Sequence, residues 1–388
     1  VPSYLPAVRY GGPIYSVHGL CKALAARGHD VEVFTTNVDG PQDSHVPLGV
    51  PVDMDGVKVR YFPVPALRRL YWSPAMGKAL RQRLGGFDVL HTHSVFLWPT
   101  WAAARAASRA RVPYIVSPRG MLVEELIARK SPFLKRAWIA LIERASLERA
   151  SAIHVNSATE EVELKRFGFA LPAVHVVPNG VIADAGQDAT AELPEGVRSI
   201  FASGRPVVLC LGRISWKKGL DRLISAIVRV PDAVLLIVGN DDEGYSGTLR
   251  ELAVKEGVLD RVVFAGPVFG TAKTKLYRRA CLLALASYSE NFGNVVLEAM
   301  VEGCPVVVTP EVGAAAIVEE SGGGLVAQGA PQAFGDAMQS LVADPGLRAD
   351  IGNRAKQSLR AKYSWDSVAG RMIEIYRSIS KTSLPSGA

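Results

Sequence analysis

The sequence is poor in everything that would make it a disulfide scaffold, a metal-clip protein or a membrane-spanning chain. Cysteine occurs four times in 388 residues, at Cys21, Cys210, Cys281 and Cys304. No two of these stand in a CxxC or other metal-ligand spacing, and three lie in or beside apolar runs. They read as reduced core thiols of a cytoplasmic protein. Long hydrophobic runs are missing too; the longest are of strand length, so neither a transmembrane helix nor a signal peptide is expected. Aromatic residues make up only 7% of the chain. The aromatic-and-glycine pattern of an RNA-binding sheet is absent, which argues against a nucleic-acid partner despite a net charge of +7.

What is present points to a compact α/β protein. Apolar residues make up 48%, with 36 glycines and 24 prolines, and the length is too great for one ordinary core. The charge is uneven. Residues 1–180 hold 22 Lys and Arg against 14 Asp and Glu, whereas the remainder holds 22 against 23. An excess confined to the N-terminal half fits a phosphate-bearing acceptor or an anionic membrane surface. Two stretches, 67–84 and 126–149, interleave cations with Leu70, Tyr71, Trp72, Phe133, Leu134 and Trp138, as membrane-surface helices do.

Several strand ends carry polar loops. Gly11-Gly12-Pro13 precedes a helical pattern, and Gly-Gly there lets a ligand approach the backbone. Phe87–His93 runs as a strand into a loop. Val116-Ser117-Pro118-Arg119-Gly120 is another strand end, where Arg119 could grip a phosphate with two parallel N–H groups. Asp53-Met54-Asp55-Gly56 has the look of a metal motif, but Asp-Gly before an alternating strand is a turn signal, and no metal site is expected. Val207–Leu211 leads directly into Gly212-Arg213-Ile214-Ser215-Trp216-Lys217-Lys218-Gly219, a turn with cations suited to clamp a diphosphate. The apolar run 282–286 ends in Ser287-Tyr288-Ser289-Glu290-Asn291-Phe292-Gly293-Asn294, after which a helix opens. Such a helix start, with free N–H groups and a positive dipole, is an anion site. Glu290 and Glu298 can flank one ligand there.

The string Glu290-x7-Glu298, with Phe292-Gly293, Leu297-Glu298-Ala299-Met300 and Gly303-Cys304-Pro305-Val306-Val307, resembles the signature of the GT-B retaining nucleotide-sugar glycosyltransferases of family 4. Asn291 stands where many members carry Gly. Gly212-Arg213 with Lys218-Gly219, the His91-x-His93 pair and the Gly11-Gly12 opening are similar to further parts of that pattern. Ser117-Pro118-Arg119-Gly120-Met121 resembles a subset active in exopolysaccharide synthesis. The chain begins without the complete first strand of the relatives, so a short preceding piece is expected.

The resemblance implies an α/β fold of two Rossmann-like, doubly wound parallel-sheet domains facing a cleft. The acceptor domain is expected at 1–183, a linker at 184–204, the donor domain at 205–364, and a crossover helix at about 365–388 returning to the first domain. It implies transfer of a hexose, mannose favoured, from a nucleoside diphosphate sugar to a saccharide or polyprenyl-diphosphate-linked acceptor, with no cofactor and no metal. Arg213 and Lys218 would hold the diphosphate, Glu290 the sugar hydroxyls and Glu298 the ribose. Gly11, Gly12, Val268, Asn291, Phe292, Gly293 and Asn294 complete the expected donor contacts, and His93 lies beside the sugar. The expected setting is the cytoplasmic face of a membrane. Other readings are a nucleotide-sugar epimerase, a phosphorylase, which would need a far longer chain, or a non-catalytic nucleotide-sugar sensor.

Overall fold

The computed structural model describes residues 1–129, 132–182 and 192–383. The chain forms two compact units, one of residues 1–180 plus the segment from Trp365 onward, the other Val181–Ser364.

The second unit is built on six parallel strands: Val207–Leu211, Val234–Val238, Val262–Phe264, Leu282–Leu285, Val306–Val308 and Gly324–Val326. Numbered along the chain, their spatial order is 3-2-1-4-5-6, the dinucleotide-fold order. Val207–Leu211 contains no polar residue because both faces are covered. Val207, Leu209 and Leu211 enter one apolar cluster, while Val208 and Cys210 enter the other. Burial pushes the Cys210 thiol up to about 12, so it is an inert core group. The sixth strand, Gly324–Val326, pairs through Val306↔Gly324 and was not expected from the sequence. Its three residues are only half-buried, so they lack the apolar density of the other strands.

The first unit is less regular. Leu90–His93, Tyr114–Ser117, Ala152–Val155 and Val174–Val176 form a four-stranded parallel sheet in chain order. Glu32–Thr36 pairs in parallel with Val57–Phe62, which is joined to Pro51–Met54 as an antiparallel hairpin. The parallel strands of this unit therefore carry an antiparallel edge strand, and Val38–Asp39 with Gln42–Asp43 forms a further antiparallel pair. The turn of the hairpin is Asp55-Gly56, both with positive φ, and Asp55 is paired with His18 and Lys22 rather than poised for a metal.

The C-terminal helix Trp365–Ser383 packs in the first unit. Val368, Ala369 and Met372 lie against Leu20 and Leu24 of Gly12–Ala26. Arg27 grips Asp366 through Nε at 2.7 Å and Nη2 at 2.9 Å. Residues 183–191, the end of the expected first domain and the start of the expected linker, lie outside the described residues. The rest of that stretch is not irregular: Glu195–Ala202 is a helix anchored by the buried Val197. Val197, Ile200 and Phe201 stand at i, i+3 and i+4 on one face, but two turns are too short for that pattern to stand out beside the aperiodic sequence before them. Among the described residues no helix is long and apolar enough to cross a membrane.

Candidate functional site

In a doubly wound sheet, ligands bind outside the carboxyl ends of the strands where the strand order reverses. Here that point lies between Val207–Leu211 and Leu282–Leu285, which are neighbours in the sheet. The two loops leaving these strands carry Arg213 with Lys218 and Glu290. The loops are stitched together, since Tyr288 donates its backbone N–H to the Lys217 carbonyl at 2.8 Å. Gly219 is required at this crossing. Its φ is +59°, and a Cβ there would stand 1.9 Å from the Ala286 carbonyl oxygen.

Lys218 ends the short 3-10 turn Trp216–Lys218, and its ammonium forms an ion pair with the Glu290 carboxylate. Both side chains are about one-fifth exposed, at 17% and 21%. Arg213 is exposed and has no partner among the described residues. Glu290 is held through its backbone: its N–H donates to Glu311, and its carbonyl accepts from Gly313. Gly293, at φ +87°, turns the chain into the helix Asn294–Val301. The opening N–H groups of that helix thus lie directly after the loop that carries Glu290.

Glu298, one turn into the helix, accepts the Tyr277 hydroxyl at 2.7 Å and pairs with Lys273 at 2.8 Å, both through Oε2. Its Oε1 has no partner among the described residues. Burial, reinforced by Glu298, holds the Tyr277 phenol far above its ordinary range, so it remains a donor. Lys273 and Tyr277 were missed from the sequence. They stand four apart on the helix Gly270–Arg279, a spacing that could have marked one common face.

Two expected donor contacts are different in kind. Phe292 is 3% exposed and part of the core, and its carbonyl accepts Ala314 N–H. Its side chain pins the loop and offers nothing to a ligand. Val268 is likewise buried, leaving only its backbone for recognition. Asn291 and Asn294 are half-buried beside Glu290 and at the helix start.

The first unit holds a separate polar cluster at the ends of its parallel strands. Gly11, at φ +67°, precedes the helix Gly12–Ala26; the conformation rather than crowding demands glycine, because nothing lies near its missing Cβ. His93 closes the strand Leu90–His93 and is buried. Arg119 donates to His93 Nδ1 from Nε at 3.1 Å and from Nη2 at 2.9 Å. Its Nη1 donates to Asn156 Oδ1 and Asn179 Oδ1, each at 2.9 Å. Four of its five N–H groups are thereby engaged, and no parallel pair remains for a phosphate. The expectation of Arg119 as a bidentate phosphate ligand is corrected on this ground. Burial draws the guanidinium down to about 10, with Glu160 opposing, so it is still a cation at neutral pH. Arg119 has φ +58°, a conformation strained for any residue that carries a Cβ. Glu160 holds the surrounding loops by accepting Gly120 N–H at 2.5 Å and Asn156 N–H at 2.8 Å. Among the described residues no group of three or more His, Cys, Asp or Glu side chains could hold a metal ion.

The strand-order reversal with its two stitched loops is the ligand-site position of a doubly wound sheet, and comparison with known proteins identifies the family. The family described as "Glycosyl transferase 4-like domain" matches residues 11–180, and the one described as "Glycosyl transferases group 1" matches 197–358. A D-inositol 3-phosphate glycosyltransferase of Xylanimonas cellulosilytica is 30% identical, over 96% of this chain and 92% of its own. An uncharacterized glycosyltransferase of Methanocaldococcus jannaschii is 29% identical over 95% and 94%. Among solved structures, sucrose-phosphate synthase from Thermosynechococcus elongatus superposes with a TM-score of 0.74 at 24% identity, covering 96% and 94% of the two chains. Anabaena HepE, solved with UDP-glucose, gives 0.72 at 20% identity, covering 97% and 98%. The chain belongs to the family 4 glycosyltransferases of GT-B fold.

Proposed function

We propose that this glycosyltransferase moves a hexose from a nucleoside diphosphate donor to a hydroxyl of a saccharide or lipid-linked saccharide, with retention of anomeric configuration. One observation carries the reading: the Lys218–Glu290 pair at the strand-order reversal, beside the opening of the helix Asn294–Val301. A leaving diphosphate develops negative charge as the sugar–oxygen bond breaks. Lys218, the unpartnered Arg213 and the N–H groups at Gly293-Asn294 supply fixed positive charge to that oxygen. Glu290 orients sugar hydroxyls, and the unengaged Oε1 of Glu298 accepts from the ribose. The attacking hydroxyl arrives on the face the diphosphate leaves, and its proton passes to the departing phosphate oxygen. No protein nucleophile, cofactor or metal is then needed; activity abolished by a chelator would overturn the last point.

Mannose from GDP-mannose is the favoured transfer, and a UDP-hexose the alternative, as HepE and its UDP-glucose would suggest. The setting we propose is cell-surface polysaccharide synthesis in the cytoplasm, at the inner face of a membrane. Phe133, Leu134 and Leu141 support it: they are 86%, 71% and 79% exposed on Pro132–Trp138 and the π-helical turn that follows. Exposed Arg136 flanks them, whereas Arg144 is exposed but paired with Glu148. The other basic stretch, 67–84, supports it less, because Arg68 is tied to Asp43 and Arg83 to Glu32. A second acceptor reading, a small phosphorylated polyol, draws on the relatives named D-inositol 3-phosphate glycosyltransferases.

The test is thermal stability against nucleoside diphosphates and their sugars, followed by product analysis with lipid-linked saccharides and inositol 3-phosphate. A ligand at 100 times its dissociation constant adds about 2.7 kcal/mol. Stabilisation by one base and one sugar identifies the donor. Silence across the panel overturns the donor reading, and donor binding without transfer to any acceptor leaves the sensor reading standing.

A further inference from the structure

The buried histidines of the first unit have their protons assigned by geometry. His154 Nε2 lies 2.8 Å from the Val177 carbonyl, which can only accept, so His154 carries its proton on Nε2. Its Nδ1 therefore accepts the Ser117 hydroxyl at 2.8 Å. The Ser117 oxygen in turn accepts from His91 Nε2 at 2.8 Å, and His91 Nδ1 accepts the Tyr376 hydroxyl at 2.8 Å. One direction of donation satisfies every link from Tyr376 to Val177, with both rings neutral.

His93 is outside that chain and is fixed differently. Its ring lies 4.2 Å from that of His91, centroid to centroid, with no hydrogen bond between them. Its Nδ1 faces two N–H groups of Arg119, and a guanidinium has no acceptor. The lone pair must therefore be on Nδ1 and the proton on Nε2. Nε2 has no hydrogen-bond partner among the described residues. Asn156 and Asn179 fix the other end of the guanidinium, so the fork cannot swing away from the ring.

We propose that Arg119 is a positioning residue, whose guanidinium locks His93 in the neutral form that presents Nε2–H as a hydrogen-bond donor and not as a base. A donor at that atom suits an oxygen of the sugar or its leaving group, and it cannot take a proton from the acceptor hydroxyl. The nitrogen that is protonated is set by the bond made at the other nitrogen, and here the other partner is a cation instead of the usual carboxylate. A carboxylate at the position of Arg119 would impose the opposite tautomer. This inference rests on the reading of His93 as a donor-sugar contact.

The experiment is long-range proton–nitrogen NMR of the full-length protein with labelled histidine, the His93 signals being identified by their loss in His93→Gln. The wild-type protein is expected to show a single Nε2–H pattern at His93. In Arg119→Met the pattern shifts toward a mixture of tautomers, and kcat falls roughly 10–100-fold, the scale of losing a group that orients a ligand-contacting histidine. KM for the donor changes less, and Arg119→Lys, which keeps one donor toward Nδ1, recovers part of kcat. An Nδ1–H or mixed pattern in the wild-type protein overturns the proposal, whether or not Arg119→Met folds. A wild-type kcat in His93→Ala would instead remove His93 from the reaction, and with it the purpose assigned to Arg119, while leaving the transferase reading and the tautomer result intact.

Discussion

The two units use similar α/β layering to build polar sites of opposite character. All seven histidines fall between His18 and His175, in the first unit, and the second has none. The first unit's strand ends hold neutral rings ordered by directional hydrogen bonds around one buried cation. Those of the second hold opposite charges, Lys218 against Glu290 and Lys273 against Glu298, at partly open positions. The difference follows from burial. A closed site excludes charge unless every group is partnered, whereas a half-open one can keep carboxylates and ammonium groups ready for a charged ligand.

The largest test of this contrast is Lys218→Ala. It removes a fixed charge from the developing phosphate, so turnover is expected to fall roughly 10²–10³-fold, as with loss of one transition-state donor. Unchanged steady-state kinetics would dismiss the clamp. Glu290→Gln belongs beside it: nucleoside diphosphate binding by calorimetry should survive while transfer falls. Lost binding would mean that the roles of Glu290 and Glu298 are exchanged.

The second test separates the units by pH. Burial holds His91 and His93 well below the ordinary histidine value and His154 at about 3. The unfolded chain binds protons at these sites below about pH 6.5 while the folded chain does not. Stability is therefore full above that pH and is lost as pH falls toward the folded values, by up to about 1.4 kcal/mol per pH unit for each histidine. Hydrogen exchange should show the first unit opening before the second on acidification from pH 7 to pH 4. Equal loss of protection in both would refute the neutral network.

Smaller effects sharpen the comparison. Glu298→Gln should weaken nucleoside diphosphate binding by about 1.5–3 kcal/mol, the value of a hydrogen bond to a charged group; unaltered affinity would end the ribose assignment. Phe133→Ser with Leu141→Ser should alter stability by no more than about 0.5 kcal/mol, since both side chains are exposed. Sedimentation with anionic vesicles should nevertheless decline, and vesicle binding equal to wild type would show that this face touches no membrane.

Much of the second unit was legible in the sequence because its signals are local. Apolar strands of four or five residues announce themselves, and the polar loop with its helix start follows immediately, as in Leu282–Asn294. The resemblance to family 4 rests on the same contiguous strings. The helix Glu195–Ala202 escaped because its apolar positions span only two turns, and the strand Gly324–Val326 because its three residues are only half-buried. Phe292 stands in the motif for the reverse reason: its side chain fills the core and so fixes the loop.

The fold class, the family and the placing of Lys218, Glu290 and Glu298 on strand-end loops and a helix were readable in local sequence, since these depend on neighbours within one strand, loop or helix. What Arg119 touches is set by tertiary contacts. Its partners His93, Asn156 and Asn179 lie 26 to 60 residues away, and the direction of each proton depends on which atoms meet across the sheet. The same holds for Tyr277 with Glu298, where helix packing brings a buried phenol to a carboxylate. Spacing along a chain encodes faces and turns, whereas hydrogen-bond polarity is settled only where distant segments come into contact.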